Sequence, residues 1–182
     1  MRLDMQITHK AARCLRQILH LRMLGLAHTP TEKHMSVYCL PETCAALLSL
    51  KLFKELNEKE LLRLLYQAEL IECPQGDYAI REGEQGHHLF VVISGQVQIS
   101  KRSQGISKII QDLGPGECFG EMSLIECRTR SASARAMSHC KLLRIDGESI
   151  AAVPEISAKL YRNIAILLSQ RLRHANEILV LG

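Results

Sequence analysis

The sequence has no tryptophan, and its few Phe and Tyr residues bring the aromatic share to only 4%. So few rings argue against a protein that grips single-stranded nucleic acid by stacking its bases. Long apolar runs are missing as well. None approaches the roughly 18 residues of a membrane-crossing helix, and no signal-peptide pattern follows Met1. Charge of one sign is also lacking: 23 Lys and Arg against 19 Asp and Glu give a net charge of +4 and a pI near 8.7. That balance suits a small anionic ligand and falls short of the basic stripe of a DNA-binding domain. Seven cysteines, an odd number without a secretory signal, read as a reduced, intracellular protein, and the expected location is cytoplasmic. No nucleophile–base pair stands out and no metal-ligand set has usable spacing, so no enzyme and no bound metal are expected. His87 and His88 are adjacent, and neighbours on a strand point to opposite faces, which makes them poor joint ligands.

What is present is enough for one domain with an extension. The 182 residues are 47% hydrophobic, so the chain can bury a core. Residues 1–50 read as a helical N-terminal extension and residues 51–182 as the domain. In the extension, Ala11, Leu15, Ile18 and Leu19 recur near helical spacing over residues 7–24, with Thr8 as N-cap, and a second short helix is expected after Pro41. Six basic and three acidic residues in this segment supply most of the net positive charge. An amphipathic helix packed on its own domain is the expected role; the competing one is contact with a partner or a membrane surface. From Leu52, the residues Phe53, Leu56, Leu61, Leu64 and Leu65 predict an amphipathic helix ending near Ala68. Between Glu69 and Ile145, short β-like runs at 70–73, 89–93, 96–99, 109–113 and 140–145 alternate with turns at Gly76, Gly83, Gly86, Gly95, Gly105, Gly114 and Gly116. Many short strands predict a barrel or jelly roll. After Pro154, a broad apolar face from Ile156 to Leu179 predicts one long helix.

The chemistry concentrates between Gly114 and Ala132. Gly120 lets backbone approach a ligand closely, and Glu121 to Ile125 can form a short helix whose free N–H groups favour an anion. Arg130 lies nine residues beyond Glu121. The chain can therefore fold back and set a planar, two-pronged donor beside the same anion. Ser131 can add a hydroxyl. A phosphate would repel Glu121, so that carboxylate is expected to face a neighbouring hydroxyl. A monoanionic phosphate next to a sugar hydroxyl satisfies all of these groups.

The run Phe119-Gly120-Glu121-Met122-Ser123-Leu124, with Arg130-Ser131-Ala132 behind it, resembles the phosphate-binding cassette of cyclic-nucleotide-binding domains. That family includes the regulatory subunits of cAMP-dependent kinase and catabolite activator protein-like regulators. Residues 76–84 resemble the family's first glycine turn, 89–97 its central hairpin and 113–116 its approach to the cassette. The resemblance covers roughly residues 50–180, with order and spacing kept. It implies an α+β fold: a β-jelly-roll barrel with flanking helices.

The resemblance also implies roles. Arg130 would pair with the cyclic phosphate, Gly120, Met122, Ser123 and Ser131 would supply donors around it, and Glu121 would accept the ribose 2′-OH. The ligand expected is cAMP, with cGMP or cyclic di-GMP as alternatives, the last because Arg128 stands near Arg130. The terminal helix would lid the ligand, with an aliphatic residue between Leu167 and Leu172 capping the base. It would also pass the signal to a protein partner or a second copy. The family's transcription factors carry a helix-turn-helix after this helix; the chain ends at Gly182, so no DNA binding is expected. Cys127 stands where many relatives have Gly, and Thr129 where many have Pro. The competing function is a degenerate barrel that serves as a scaffold or targeting protein through its basic N-terminal helix.

Overall fold

A computed structural model describes residues 41–181. The helix expected over residues 7–24 lies outside them. Helix α1 (Pro41–Leu48) forms where the second short helix is expected after Pro41. It brings Cys44, Ala46 and Leu47 into the main core, so the packed structure begins before residue 51.

The single helix expected from Leu52 to Ala68 is instead two pieces: a 3-10 turn (Lys51–Phe53) and α2 (Glu58–Tyr66). The break has a local cause. Glu55 adopts a left-handed φ of 69°, and Asn57 then caps α2. The Glu60 amide donates to Asn57 Oδ1 (3.0 Å), and the Asn57 amide donates to Glu60 Oε2 (2.8 Å). This reciprocal capping box satisfies two amides that the first turn would leave orphaned.

Eight strands follow: β1 (Glu69–Cys73), β2 (Tyr78–Ile80), β3 (His88–Ser94), β4 (Val97–Ser103), β5 (Ile106–Leu113), β6 (Cys118–Phe119), β7 (Ser133–Ala136) and β8 (Cys140–Asp146). They form two four-stranded antiparallel sheets, ordered β1-β8-β3-β6 and β2-β7-β4-β5. Three strands escaped the sequence pattern. β2 and β6 are only three and two residues long, and β7 is built from Ser and Ala, which carry little apolar signal. The turn glycines Gly76, Gly83, Gly95, Gly105 and Gly116 all have positive φ, whereas Gly86 and Gly114 do not.

β3 reads as an unbroken apolar run because both of its faces are covered. Leu89, Val91 and Ile93 join Leu143 and Ile145 of β8 against the helices. Phe90 and Val92 face the other way, packing with Val97, Leu113 and Leu142 between the sheets. The fold is therefore an α+β jelly roll with one core between its sheets and a second beneath its helices.

Helix α3 (Glu121–Glu126) interrupts the barrel after β6, and α4 (Gly147–Ala151), capped by the Asp146 side chain, leads into α5 (Pro154–Leu181). Ile156, Leu160 and Ile164 bury the first half of α5. Buried Asn163 ties it down by donating to the Leu52 and Lys54 carbonyls (2.9 and 2.7 Å). Lys159 donates to both carboxylate oxygens of Glu60 (2.7 Å each), joining α5 to α2. Beyond Leu168 the apolar face is largely uncovered: Leu172, Ile178, Leu179 and Val180 are exposed.

Two predictions follow from this scaffold. The Lys159 hydrogen bond, followed by that of the Asn57 amide, holds the Glu60 carboxyl below its usual value of 4.5. A depressed carboxylate stabilises the fold at neutral pH, and that contribution disappears as pH falls through the folded-state value. Wild-type thermal stability should therefore fall more steeply from about pH 5 to pH 3 than that of Glu60→Gln, as read by circular dichroism melts. Second, Cys127 ends α3 with φ 52° and ψ 37°, a left-handed conformation that costs a residue with a Cβ. Cys127→Gly should raise stability by about 1 kcal/mol in urea unfolding.

Candidate functional site

A cavity of about 1210 Å³ opens between the barrel and the second half of α5. Gly120, Glu121, Met122, Ser123, Arg130 and Ser131 all line it. The fold thus gathers these six residues around one cavity.

Arg130 is the least expected group to find buried, at 5% exposure. Its Nη1 lies within hydrogen-bonding distance of the His88 carbonyl (3.0 Å), the Gly120 carbonyl (3.0 Å) and Ser123 Oγ (2.6 Å). The Phe90 ring centroid is 5.7 Å from the guanidinium carbon, and Phe90 itself stacks on Phe119 at 5.1 Å. All three oxygen partners are neutral. Among the described residues no carboxylate forms an ion pair with Arg130. Burial therefore pulls its pKa down, against the more distant charges of Glu121 and Glu84. A cation taken out of water without a full counter-charge favours any anion that can reach it.

Two glycines make the room for it. A Cβ on Gly120, which has φ 82°, would stand 2.8 Å from Arg130 Nη1 and 2.9 Å from the His88 oxygen. A Cβ on Gly86 would stand 2.7 Å from Nη2. Gly86, expected at a turn, has no positive φ; what it supplies is space for the guanidinium.

Glu121 begins α3 and is 6% exposed. Its Oε1 accepts a hydrogen bond from Arg171 Nη1 at 2.9 Å, and Arg171 Nη2 donates to the Cys118 carbonyl. This ion pair joins the cassette to α5. Sequence reasoning searched Leu167 to Leu172 for an aliphatic cap and passed over Arg171. The signal lies in the sequence: Arg171 continues the inward-facing stripe of buried Leu160 and Ile164 and half-buried Leu167 and Leu168, where a charge requires a partner. Beneath the pair, burial first and the nearby Glu121 carboxylate second push the Cys118 thiol up to about 12, so it stays protonated.

The remaining members are less enclosed. Ser123 donates its hydroxyl to the Gly120 carbonyl (3.2 Å), and Ser131 donates to Met122 Sδ (3.4 Å), whose side chain is exposed. Arg128 does not line the cavity, whereas Lys51, Lys101 and His174 do. Leu167, Leu168 and Leu172 line the side formed by α5.

With this geometry in view, the comparisons are specific. Residues 70–155 match the family model described as the cyclic nucleotide-binding domain. Over 130 residues, the chain is 31% identical to a CRP-like cAMP-activated global transcriptional regulator of Mycobacterium tuberculosis, covering 69% of this chain and 56% of that protein. The crystal structure of Thermus thermophilus catabolite activator protein superposes with a TM-score of 0.64 at 36% identity, covering 72% of this chain and 62% of that one. The regulatory domain of Toxoplasma gondii PKA, solved with cAMP, superposes with a TM-score of 0.58 at 26% identity over 70% of this chain and 47% of that one. The chain thus spans about half the length of such relatives. A match of sequence, of fold and of the cassette on one cavity wall leads to a single assignment: over residues 70–155 the chain carries a domain of the cyclic nucleotide-binding family.

Proposed function

We propose that the chain is a non-enzymatic cyclic-nucleotide sensor whose preferred ligand is cAMP. The observation that carries this reading is Arg130, a buried guanidinium that lines the cavity and whose hydrogen-bond partners among the described residues are neutral oxygens. A cyclic phosphate supplies the missing negative charge and two oxygens to match the guanidinium fork. Gly120, Met122 and Ser123 lie at the start of α3, and Ser131 can turn its hydroxyl from Met122 toward the phosphate. The second carboxylate oxygen of Glu121 accepts the ribose 2′-OH while the first stays on Arg171. The preference for cAMP draws support from relatives: one is named as cAMP-activated, and another was solved with cAMP.

In this reading Arg171 carries the signal. A nucleotide that draws on Glu121 changes the balance of the Glu121–Arg171 pair, and with it the position of α5. The ligand can shift that helix only by as much as it binds the two arrangements differently. The output surface is the exposed apolar end of α5, read by a protein partner or a second copy of the chain.

Calorimetric titration with cAMP, cGMP and cyclic di-GMP in parallel tests the ligand. The expected result is saturable 1:1 binding, tightest for cAMP, and weakened about 10- to 100-fold in Arg130→Ala. An unchanged affinity in that variant overturns the site. Absence of heat with all three nucleotides moves the reading to the scaffold function. Arg171→Met tests the coupling. It should weaken binding about tenfold, and cAMP should no longer change hydrogen exchange in residues 171–181.

A further inference from the structure

Cys73 and Cys140 occupy directly opposite positions in the antiparallel ladder between β1 and β8. Both carry free thiols, and both are buried in the core between the sheets, 5% and 0% exposed. Residues opposed in this way project to the same face, with Cα atoms about 4.5 or 5.5 Å apart. A disulfide spans Cα separations of about 4.4–6.8 Å, which such a pair meets, and the opposed Cβ atoms, about 4.5–5.5 Å apart, need only a small approach to reach the roughly 3.5–4.5 Å that the bond requires. We propose that Cys73 and Cys140 are a reversible disulfide site, oxidised by a low-molecular-weight disulfide of the glutathione type, that fastens the edge of the barrel.

The surroundings tolerate the oxidised form. The Cys140 thiol donates to the Gln96 and Ser138 carbonyls (3.2 and 3.3 Å) and would lose that proton. The Gln96 carbonyl keeps a partner, because it also accepts from the Met137 amide at 2.8 Å. The pair lies at one end of its ladder: Cys73 closes β1 before Pro74, and Cys140 opens β8. β1 is also an edge strand of its sheet. Ladder ends at sheet edges open most readily, which gives a small reagent access that the closed core denies. Burial, and then the neighbouring Cys140, hold the Cys73 thiol above its ordinary value. Oxidation therefore waits on that opening and is slow.

The exchange balances. The thiolate of one cysteine attacks the reagent's S–S bond, forming a mixed disulfide and releasing one reagent thiolate. The second cysteine attacks the protein-bound sulfur, forming the Cys73–Cys140 bond and expelling the second reagent thiolate. The two protein sulfurs are oxidised, the two reagent sulfurs are reduced, and the protons lost by the protein thiols are taken up by the thiolates released. The loop that closes runs from residue 73 to residue 140 and contains both Gly120 and Arg130. It is long enough for the cross-link to remove substantial entropy from the unfolded chain.

The test uses the full chain, folded, in mixtures of oxidised and reduced glutathione. Samples are quenched with acid, alkylated with N-ethylmaleimide, digested and examined by mass spectrometry, and parallel samples are melted. The expected result is a peptide pair linked through Cys73 and Cys140, cleaved by dithiothreitol, with a Tm gain on the order of 5–10 °C. The link and its share of the gain should vanish in Cys73→Ala, and in Cys73→Ser should the first variant fold poorly. Finding both thiols alkylated when exposed Cys127 is already glutathionylated overturns the site. A link formed without any Tm gain overturns the fastening role.

Discussion

The site depends on one constraint: a guanidinium held inside the protein with no carboxylate in ion-pair contact among the described residues. Burying Arg130 in this way demands acceptors, and they come from two segments: His88 at the start of β3, and Gly120 and Ser123 at the start of α3. It demands space, which Gly86 and Gly120 give up by having no side chain. It also demands a floor, provided by the stacked Phe90 and Phe119 rings between the sheets. Strand β3 therefore does two jobs at once. Its alternate residues fill two cores, and its first residue presents a carbonyl to the cation. The jelly roll is what holds these pieces in register, because β3 pairs with both β6 and β8.

A second charge pair turns the site outward. Glu121 and Arg171 are both largely withdrawn from solvent, and each would be costly without the other. Their pairing is the polar link between the cassette and the terminal helix. That helix is itself divided: its first half is nailed to the domain by Ile156, Leu160, Asn163 and Ile164, and its last turns leave Leu172, Leu179 and Val180 in water. Anchored through its first half and held in the middle by Arg171, which meets both Glu121 and the Cys118 carbonyl, the helix is placed, in the proposed sensor, to respond to changes at the cavity. On the opposite edge of the barrel, the Cys73–Cys140 pair is arranged to stiffen the frame that holds the cassette.

Local pattern carried much of this. The α1 helix after Pro41, the long helix after Pro154 and the five longest strands were readable because apolar periodicity and turn glycines act over a few residues. The cassette was readable because its glycine, carboxylate and arginine lie within one short stretch. The failures were local conflicts decided elsewhere. The break before Asn57 was hidden by apolar residues on both sides of it, and β7 was hidden because Ser and Ala do not declare a strand.

By itself, then, the sequence pointed to a barrel or jelly roll through its short strands and turn glycines, and through its resemblance to the phosphate-binding cassette to the six residues that line the cavity. Only the tertiary structure decided that Gly86 serves the arginine and not a turn. It alone placed Arg171 on Glu121 across fifty residues, and set Cys73 opposite Cys140. These contacts join segments far apart in sequence, and their distances are fixed by how the sheets and the terminal helix pack, which no local pattern records.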